Sequence, residues 1–328
     1  MRKMQQRVLG KHHITVSAIG LGCWGMSHAY GRADEKESLA TLSRCLDLGI
    51  NFLDTADAYG DGHNESLIAN VLKHRRKEAV VATKFGFVGD EHGNFKINGK
   101  PEYVQKACEN SLERLGVDEI DLYYYHRLDP DVPIEETIGA MADLVAQGKI
   151  RCLGLSEVSA ETMLRAHAAY PITALQSEYS LWHRDVEREI LPACRELNIS
   201  LVPFSPLGRG FLTGTILNTN LLEQNDYRRQ IPRFEAAAIE KNRSLVETIQ
   251  KLAKEIDATP SQLSLAWLLA QDESIVPIPG MKQRKYVEEN LAAAALTLPD
   301  EILEQMNAAD MHFYGGRHNA YNLQFIDK

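Results

Sequence analysis

Short apolar segments alternate along this chain with longer segments whose apolar residues recur at helical spacing. The short segments begin near residues 18, 50, 79, 120, 150, 173, 199 and 274 of the 328, mostly about thirty residues apart. Each reads as a buried strand, and each interval carries at least one helical segment. Eight strand–helix units without a linker-like change in composition favour one parallel barrel over two domains. We therefore predict a single (β/α)8 TIM-barrel domain over residues 1–328.

The helical segments are predicted from their periodicity and from the residues at their ends. Gly49 and Gly116 follow the last apolar position of two segments, where glycine is favoured. Pro101 and Pro133 begin two others, because the first turn of a helix tolerates proline. The predicted helices are Ser38–Leu48, Pro101–Leu115, Pro133–Gly148, Ala160–Ala169, Glu187–Leu197 and Lys285–Ala295.

The interval before the last strand is longer than the others. It contains a polar loop over about residues 206–238 and two helical segments, Ile239–Ile256 and Pro260–Ala270. A long irregular segment inside a compact domain is usually functional, as a lid or binding loop. We predict a long loop and extra helices between strands seven and eight, and an irregular C-terminal tail from about residue 309.

Charge and composition limit the classes of partner. The net charge of −9 argues against nucleic acid or an anionic membrane as the main partner. No apolar run reaches the ~18 residues of a membrane span, and the first residues lack the apolar stretch of a secretory signal. The five cysteines are scattered without a C-x-x-C spacing, which indicates reduced, buried thiols. A cytoplasmic protein is the prediction.

Three strand-like segments in the first 126 residues lead into four reactive polar side chains. Asp54 follows the segment from Ile50, with Tyr59 five residues later, and Lys84 and His126 end the next two segments. The carboxyl ends of barrel strands surround one mouth, so these four side chains are predicted to meet there. An acid, a phenol, an amine and an imidazole suit the protonation of a carbonyl oxygen while hydride reaches its carbon.

A glycine-rich string over residues 20–25 matches the G-x-G-x-x-G pattern of dinucleotide-binding folds. That pattern requires the loop to open directly into a helix, whose N-terminus meets the pyrophosphate. Here Trp24 occupies the turn, and the next helical pattern begins only near Asp34. The string is therefore predicted to be the first barrel strand with a tight exit loop.

Signals for anion binding lie late in the chain. Ser205–Gly210 follows the seventh strand and supplies a hydroxyl, glycine amides and the guanidinium of Arg209. Pro277–Lys282 ends the eighth strand and leads into a helix with Arg284 in its first turn. The loops after strands seven and eight are the usual phosphate site of a TIM barrel. These loops are therefore the predicted cofactor site.

Several stretches resemble the aldo-keto reductase superfamily, in order and over nearly the whole chain. The branch is the one that includes pyridoxal reductases, plant and bacterial reductases and potassium-channel β-subunits. The stretches are INFLDTADAYG (Ile50–Gly60), VVATKFG (Val80–Gly86), YYHRLD (Tyr124–Asp129), GLSE (Gly154–Glu157), LQSEYSLW (Leu175–Trp182), VPFSPLGRGFLT (Val202–Thr213), Pro277–Gly280 and EENL (Glu288–Leu291).

The resemblance implies an NADPH-dependent reductase of aldehydes and ketones, with Asp54, Tyr59, Lys84 and His126 as its catalytic tetrad. The implied partner is a small-molecule carbonyl substrate. The implied cofactor-binding residues are Trp24, Ser156, Gln176, Phe204, Ser205, Pro206, Leu207, Gly208, Arg209, Gly210, Gly280, Lys282, Tyr286, Glu289 and Asn290.

Within that set the resemblance assigns different parts of the cofactor. Ser156 and Gln176 would hold the nicotinamide carboxamide, Phe204 would stack beneath the ring, and Ser205–Gly210 would hold the pyrophosphate. The residues from Gly280 onward would surround the adenosine end, and Trp24 would lie beside the substrate or the nicotinamide.

The chain departs from the family pattern at two positions. Glu157 stands where many members have asparagine, and a carboxylate cannot donate to the carboxamide as an amide does. Lys282 stands where relatives often have arginine, so bidentate contact with the ribose phosphate is lost.

Electrostatics gives each member of the tetrad a separate task. A free tyrosine has a pKa of ~10 and is a weak acid at neutral pH. An ammonium beside Tyr59 is expected to lower its pKa, against the opposing effect of burial. Asp54 would keep Lys84 charged, and His126 would donate to the carbonyl oxygen.

Two other interpretations remain open. The first is a cofactor-binding redox sensor or accessory subunit resembling the channel β-subunits, against which His126 argues. The second is a metal-dependent barrel hydrolase, which the lack of clustered histidine and carboxylate ligands in the sequence disfavours. Taken singly, Asp54 with Lys84 could be a structural ion pair.

The loop residues that are predicted to line the pocket are mostly aromatic, which indicates an apolar or aromatic carbonyl compound as substrate. They are Trp24, Tyr30, Phe87 and Trp182.

Overall fold

The computed structural model describes residues 5–11, 14–27, 29–89, 94–308 and 313–327. A sheet of seven parallel strands forms its centre, flanked by two short hairpins. The strands of these ranges are β1 (Gln6–Leu9), β2 (Ile14–Ser17), β3 (Leu21–Gly22), β4 (Phe52–Asp54), β5 (Val80–Phe85), β6 (Phe87–Gly89), β7 (Phe95–Ile97), β8 (Ile120–Tyr125), β9 (Ile150–Ser156), β10 (Ile172–Glu178) and β11 (Ser200–Phe204).

The parallel strands lie in the order β11-β10-β9-β8-β5-β4-β3. Residues 275–280 fill the gap between the two edge strands. The N–H of Val276 donates to Leu201 in β11 at 2.9 Å, and the N–H of Gly22 in β3 donates to Pro279 at 3.1 Å. The prolines at 277 and 279 have no N–H, so this eighth segment pairs through isolated bridges rather than a regular ladder. The predicted TIM barrel is confirmed, and it is nearly closed.

Helices surround the barrel as the strand–helix alternation predicts. The apolar faces of the helices between residues 35 and 169 pack against the sheet in one cluster, whereas those between residues 236 and 271 belong to a second cluster. The helices are α1 (Glu35–Asp47), α2 (His63–Arg75), α3 (Pro101–Leu115), α4 (Ile134–Ala146), α5 (Ala160–Ala169), α6 (Ile190–Leu197), α7 (Ala236–Glu255), α8 (Pro260–Gln271), α9 (Arg284–Ala292), α10 (Asp300–Ala308) and α11 (Ala320–Leu323). None of those helices has the length and apolar character that a bilayer crossing requires.

Two predicted helices differ from the observed ones. The segment predicted as Glu187–Leu197 is split into a 3-10 turn, Asp185–Glu187, and α6. Pro192 explains the split, because proline is tolerated only in the first turn and α6 therefore begins just before it. The helix predicted as Lys285–Ala295 ends at Ala292 and continues as a 3-10 turn.

The hairpin β1–β2, which was not predicted, closes the amino end of the barrel. Its buried residues Leu9, Ile14 and Val16 belong to the same apolar cluster as the strand residues inside the barrel. At its turn Gly10 has φ +52°, and its N–H donates to the hydroxyl of Ser200 at 2.9 Å. The carboxyl end of the strands is therefore the open end of the barrel.

The tail is less irregular than predicted. Beyond α10, the described residues 313–327 include α11, whose first turn is capped by the side chain of Asn319. This one-turn helix corrects the prediction of a tail without regular structure. The hairpin β6–β7 was also not predicted, and α2 is the helix expected between the strands near residues 50 and 79, for which no bounds were predicted.

Candidate active site

The four side chains predicted at strand ends meet at the carboxyl end of the barrel. Asp54 is the last residue of β4, Lys84 lies in β5, and His126 directly follows β8. Tyr59 lies in the turn after β4. Asp54 and Lys84 are buried, with exposures of 2% and 0%. Charged groups so deeply buried require partners, because an unpaired buried charge is strongly destabilising.

Lys84 is the centre of this arrangement. Its Nζ donates to Asp54 Oδ1 at 2.6 Å, to the carbonyl oxygen of Thr55 at 2.6 Å and to the hydroxyl of Tyr59 at 3.1 Å. An ammonium has three donors, so all three are used. The other carboxylate oxygen of Asp54 accepts from Nε2 of Gln176 at 2.7 Å.

The pKa shifts show which groups carry charge. Burial alone would lower the pKa of Lys84, but Asp54 and then Tyr59 raise it above its ordinary value, so the amine stays charged. Burial raises the pKa of Tyr59 more than Lys84 lowers it. The expectation of a lowered phenol pKa is therefore wrong for the free protein. The desolvation cost of a phenolate exceeds the attraction of one ammonium that is already paired with Asp54.

His126 is fixed by its backbone and by two aromatic neighbours. Its N–H donates to the carbonyl oxygen of Phe85 at 2.8 Å, and its ring lies 5.9 Å from that of Tyr59 and 4.8 Å from that of Phe87. Burial, then the nearby charge of Arg127, holds the pKa of His126 well below its usual range. The imidazole is therefore neutral and has one N–H to donate.

Ser156 and Gln176 lie beside this group of four, on β9 and β10. The hydroxyl of Ser156 accepts from Arg127 at 3.0 Å, and the amide of Gln176 is held by Asp54. Glu157 has φ +55°, and its Oε1 accepts from the N–H of Glu178 at 2.9 Å. The carboxylate that replaces the family's asparagine thus has protein partners of its own.

The loop after β11 has an unusual backbone. Ser205, Gly208, Arg209 and Gly210 all have positive φ, at 50°, 56°, 56° and 95°. Left-handed residues in such a loop form a concave surface that binds anions. A Cβ on Gly208 would lie 2.8 Å from the ring of Trp182, so glycine is required there.

Arg209 of this loop is half-buried, and in the described ranges no carboxylate lies within ion-pair distance of it. Its Nη1 donates to the hydroxyl of Tyr30 at 2.9 Å, and its guanidinium lies 5.6 Å from the rings of Trp24 and Tyr227. A guanidinium held only by a phenol and by ring faces retains its charge for an external anion. Phe204, also half-buried, precedes the loop, and Pro206 and Leu207 complete it.

Residues predicted for the adenosine end surround the start of α9. Nζ of Lys282 donates to the carbonyl oxygens of Tyr30 at 2.6 Å and Arg32 at 3.2 Å. A surface cavity of about 770 Å³ lies beside it, between α1 and α9, and Arg284 and Glu37 form an ion pair at its wall. The other predicted residues differ in exposure: Gly280 and Tyr286 are exposed, Asn290 is buried, and Glu289 accepts from Thr259.

An aromatic group lies over the mouth. The ring of Trp24 is 5.1 Å from that of Tyr30, 6.0 Å from that of Tyr59 and 5.2 Å from that of Tyr227. Trp182, in contrast, is fully buried and stacks on Phe211 at 4.2 Å. The prediction that Trp182 lines the pocket is wrong, because its ring belongs to the core between the barrel and the long loop.

The tail supplies site residues that the sequence prediction missed. Phe325 packs edge-on against Phe87 at 5.7 Å, Asn322 donates to the hydroxyl of Tyr227 at 2.8 Å, and Asp327 accepts from the N–H of Ser159 at 3.0 Å. The tail therefore contacts the β6 hairpin, the long loop and the first turn of α5. The signal in the sequence is the tail's content of aromatic and asparagine side chains, which does not by itself predict where the tail packs.

A group of six charged side chains, here called the mouth cluster, joins the tail to the barrel. Its arginines are Arg127, Arg209, Arg233 and Arg317, and its carboxylates are Glu157 and Glu178. Arg233 donates to Glu178 at 2.8 Å, and Arg317 lies 2.6 Å from Glu157. Burial is opposed by Arg233 and other nearby cations, which hold the pKa of Glu178 well below its usual range.

Known proteins resemble this chain over most of its length. A probable aldo-keto reductase from Glycine max is 45% identical over 322 residues, which cover 96% of this chain and 92% of that protein. The Schizosaccharomyces pombe protein named aldo-keto reductase yakc, NADP(+), is 46% identical over 301 residues, covering 90% and 88%.

Solved structures agree with the fold. A glycerol dehydrogenase from Gluconobacter oxydans matches with a TM-score of 0.84 at 28% identity, over 94% of this chain and 95% of that one. An aldo/keto reductase from Klebsiella pneumoniae, in complex with NADP and acetate, matches with a TM-score of 0.73 at 27% identity, over 92% and 94%.

The family model described as the aldo/keto reductase family matches residues 18–311. This match spans the barrel, the four strand-end residues and the loops after β11 and the eighth segment. The chain belongs to the aldo/keto reductase family of oxidoreductases.

Proposed function

We propose that the protein is an NADPH-dependent reductase of aldehydes or ketones. The observation that carries the proposal is the ammonium of Lys84, which donates to Asp54 and to Tyr59 at once, beside a neutral His126. If Lys84 and Asp54 formed an ion pair with only a structural role, the pair would not need the hydroxyl of Tyr59 beside it at the open end of the barrel. The relatives whose names or structures include NADP support the choice of cofactor.

The residues present fit a dinucleotide phosphate. The left-handed loop Ser205–Gly210 and the guanidinium of Arg209 suit a pyrophosphate. Ser156 and Gln176 would hold the carboxamide and Phe204 would contact the ring. Lys282, with Arg284 in the first turn of α9, would bind the ribose phosphate.

In this proposal each side chain has one task. A bound nicotinamide cofactor would supply the hydride for the carbonyl carbon. The hydroxyl of Tyr59 gives its proton to the carbonyl oxygen, and His126 donates a hydrogen bond that orients the same oxygen. Lys84 stabilises the phenolate that the proton transfer leaves, and Asp54 holds Lys84 in its charged form.

The raised pKa of Tyr59 predicts a flat pH profile for reduction. The phenol must be protonated to act as an acid, and burial holds its pKa above the ordinary 10.0. We expect kcat/KM for aldehyde reduction to stay constant from about pH 6 to 9 and to fall only above about pH 10. Initial rates across this range would measure it, and an inflection near pH 7 to 8 would contradict the prediction.

Lys282 is predicted to discriminate between the two nicotinamide cofactors. Its charge would meet the phosphate that NADPH has and NADH lacks, so Lys282→Ala should weaken NADPH binding about tenfold more than NADH binding. Fluorescence titration with both cofactors would measure this, with Lys251→Ala, at a 76% exposed side chain, as control. Equal losses would instead assign Lys282 to holding the carbonyls of Tyr30 and Arg32.

The location is also a proposal. The five cysteines are free and buried, as the sequence predicts for a reducing compartment. We propose the cytoplasm, and we expect no change in activity on treatment with a thiol reductant.

A further inference from the structure

The mouth cluster has more positive than negative charge. It contains four guanidinium groups and two carboxylates, and the carboxylates are already taken by Arg233 and Arg317. Its surplus is unusual in a chain whose net charge is −9. Unbalanced charge in a partly desolvated site is costly unless a ligand of opposite sign completes it.

Two arginines of the cluster carry that surplus. The positive charge of Arg209 would be neutralised by the pyrophosphate at the proposed cofactor site. Arg127 is half-buried, and its Nη1 donates to the carbonyl oxygen of His126 at 2.5 Å and to the hydroxyl of Ser156 at 3.0 Å. Within the described ranges these are its hydrogen bonds, and no carboxylate lies within ion-pair distance. The Nε and Nη2 groups therefore remain available to a ligand.

Arg127 lies next to the reacting groups. Its guanidinium is 5.8 Å from the ring of Phe87, which itself lies 4.8 Å from the ring of His126. The charge of Arg127 acts on Tyr59, from the turn after β4, and on Tyr227, from the long loop. These contacts place Arg127 beside the imidazole of His126 and within electrostatic reach of the phenol of Tyr59.

His318 gives a second, independent sign of a ligand. The residue is 6% exposed, and neither ring nitrogen has a hydrogen-bond partner in the described part of the chain. Burial, then the charge of Arg209, lowers its pKa to about 3, so the ring is neutral. A buried N–H without a partner is rare in folded proteins, and a hydrogen bond to a bound ligand, ion or water is one way to satisfy it.

The walls around these groups are aromatic. Trp24, Phe87, Tyr227 and Phe325 are all half-buried at the mouth. Aromatic rings suit an apolar or aromatic molecular body, whereas a guanidinium suits the planar geometry of a carboxylate, which it binds through two parallel hydrogen bonds.

We propose that the carbonyl substrate carries a carboxylate on an apolar body, and that Arg127 binds that carboxylate. The proposal rests on the proposed reductase function and narrows its substrate class. Arg127 then selects the substrate and orients its carbonyl group toward Tyr59 and His126. A bidentate contact to a charged group predicts a preference of about 10- to 100-fold over a neutral analogue.

The test compares two aldehydes of similar size. These are 4-carboxybenzaldehyde, which is anionic, and methyl 4-formylbenzoate, which is neutral. We expect wild-type kcat/KM to be higher for the anionic aldehyde. In Arg127→Met the ratio of the two values should fall about 10- to 100-fold, and in Arg127→Lys it should fall less, because the charge is kept but the bidentate geometry is lost. Arg165→Met, at an exposed pair with Glu135, should leave the ratio unchanged.

A binding measurement separates the two proposals. Titration of the NADPH complex with 4-(hydroxymethyl)benzoate, followed by tryptophan fluorescence, reports the anion site without turnover. If 4-(hydroxymethyl)benzoate binds in a way that depends on Arg127 but neither aldehyde is reduced, the anion site is supported and the proposed reductase function is refuted. Reduction of both aldehydes with a ratio near one, or an equal loss for both in Arg127→Met, would refute the anion site. Melting temperatures of all variants identify any that fail to fold.

Discussion

Replacement of Tyr59 by phenylalanine should lower kcat/KM for aldehyde reduction by about 10²- to 10⁴-fold, the usual contribution of a general acid. The change removes one hydroxyl, which accepts a hydrogen bond from Lys84 at 3.1 Å. Lys84 keeps Asp54 and the carbonyl oxygen of Thr55 as partners, so the buried charge remains satisfied. Initial rates of NADPH oxidation at 340 nm would measure the loss.

The control for this variant is cofactor affinity. Tyr59 is not among the residues proposed to hold NADPH, so the dissociation constant from a fluorescence titration should change little. Phenylalanine also keeps the ring contact with Trp24, which limits any structural effect. Turnover within tenfold of wild type would exclude Tyr59 as the proton donor.

Replacement of Arg233 by methionine should lower the free energy of unfolding by about 3–5 kcal/mol, because it leaves a buried carboxylate without its closest partner. Glu178 is 1% exposed, and Arg233 donates to it at 2.8 Å. The next cation, Arg317, is 3.6 Å from Glu178 and already pairs with Glu157. Urea unfolding at neutral pH would measure the loss.

Two further variants make this result specific to the pair. The double variant Glu178→Gln with Arg233→Met removes the unpaired charge and should recover much of the lost stability. Arg243→Met, at an exposed pair with Glu240, should cost less than about 1 kcal/mol. A loss below about 1 kcal/mol in Arg233→Met would show that Arg317 alone satisfies Glu178.

The same pair predicts how stability depends on pH. The pKa of Glu178 is well below its ordinary value in the folded state, as burial is outweighed by Arg233 and other cations. The contribution of the pair is therefore complete above the unfolded-state pKa of about 4.3, and it is lost as the pH falls below that value.

The barrel and the meeting of Asp54, Lys84 and His126 at strand ends were predictable because both depend on local pattern. Buried parallel strands are continuous apolar runs, and β5, β8 and β10 are buried at every position. The polar residue at the end of such a run stands out against it. Parallel strands then place their ends at one edge, so Asp54 and Lys84 could be brought together without knowledge of any contact.

Features that depend on long-range packing were not predictable. The sequence predicts Trp182 as a pocket residue, but its burial depends on packing against Phe211 and on the course of the long loop. Glu157 was recognised as unusual, yet its partner Arg317 comes from 160 residues away. The direction of the Tyr59 pKa shift depends on the balance of burial against one charge, which spacing along the sequence does not reveal.

The attachment of the tail at three separate elements has a consequence for kinetics. Phe325, Asn322 and Asp327 each bind a different neighbour around the opening. Release of a tail that is attached at three points requires the loss of all three contacts, so we expect it to be a collective motion on the microsecond-to-millisecond scale rather than the rotation of one side chain.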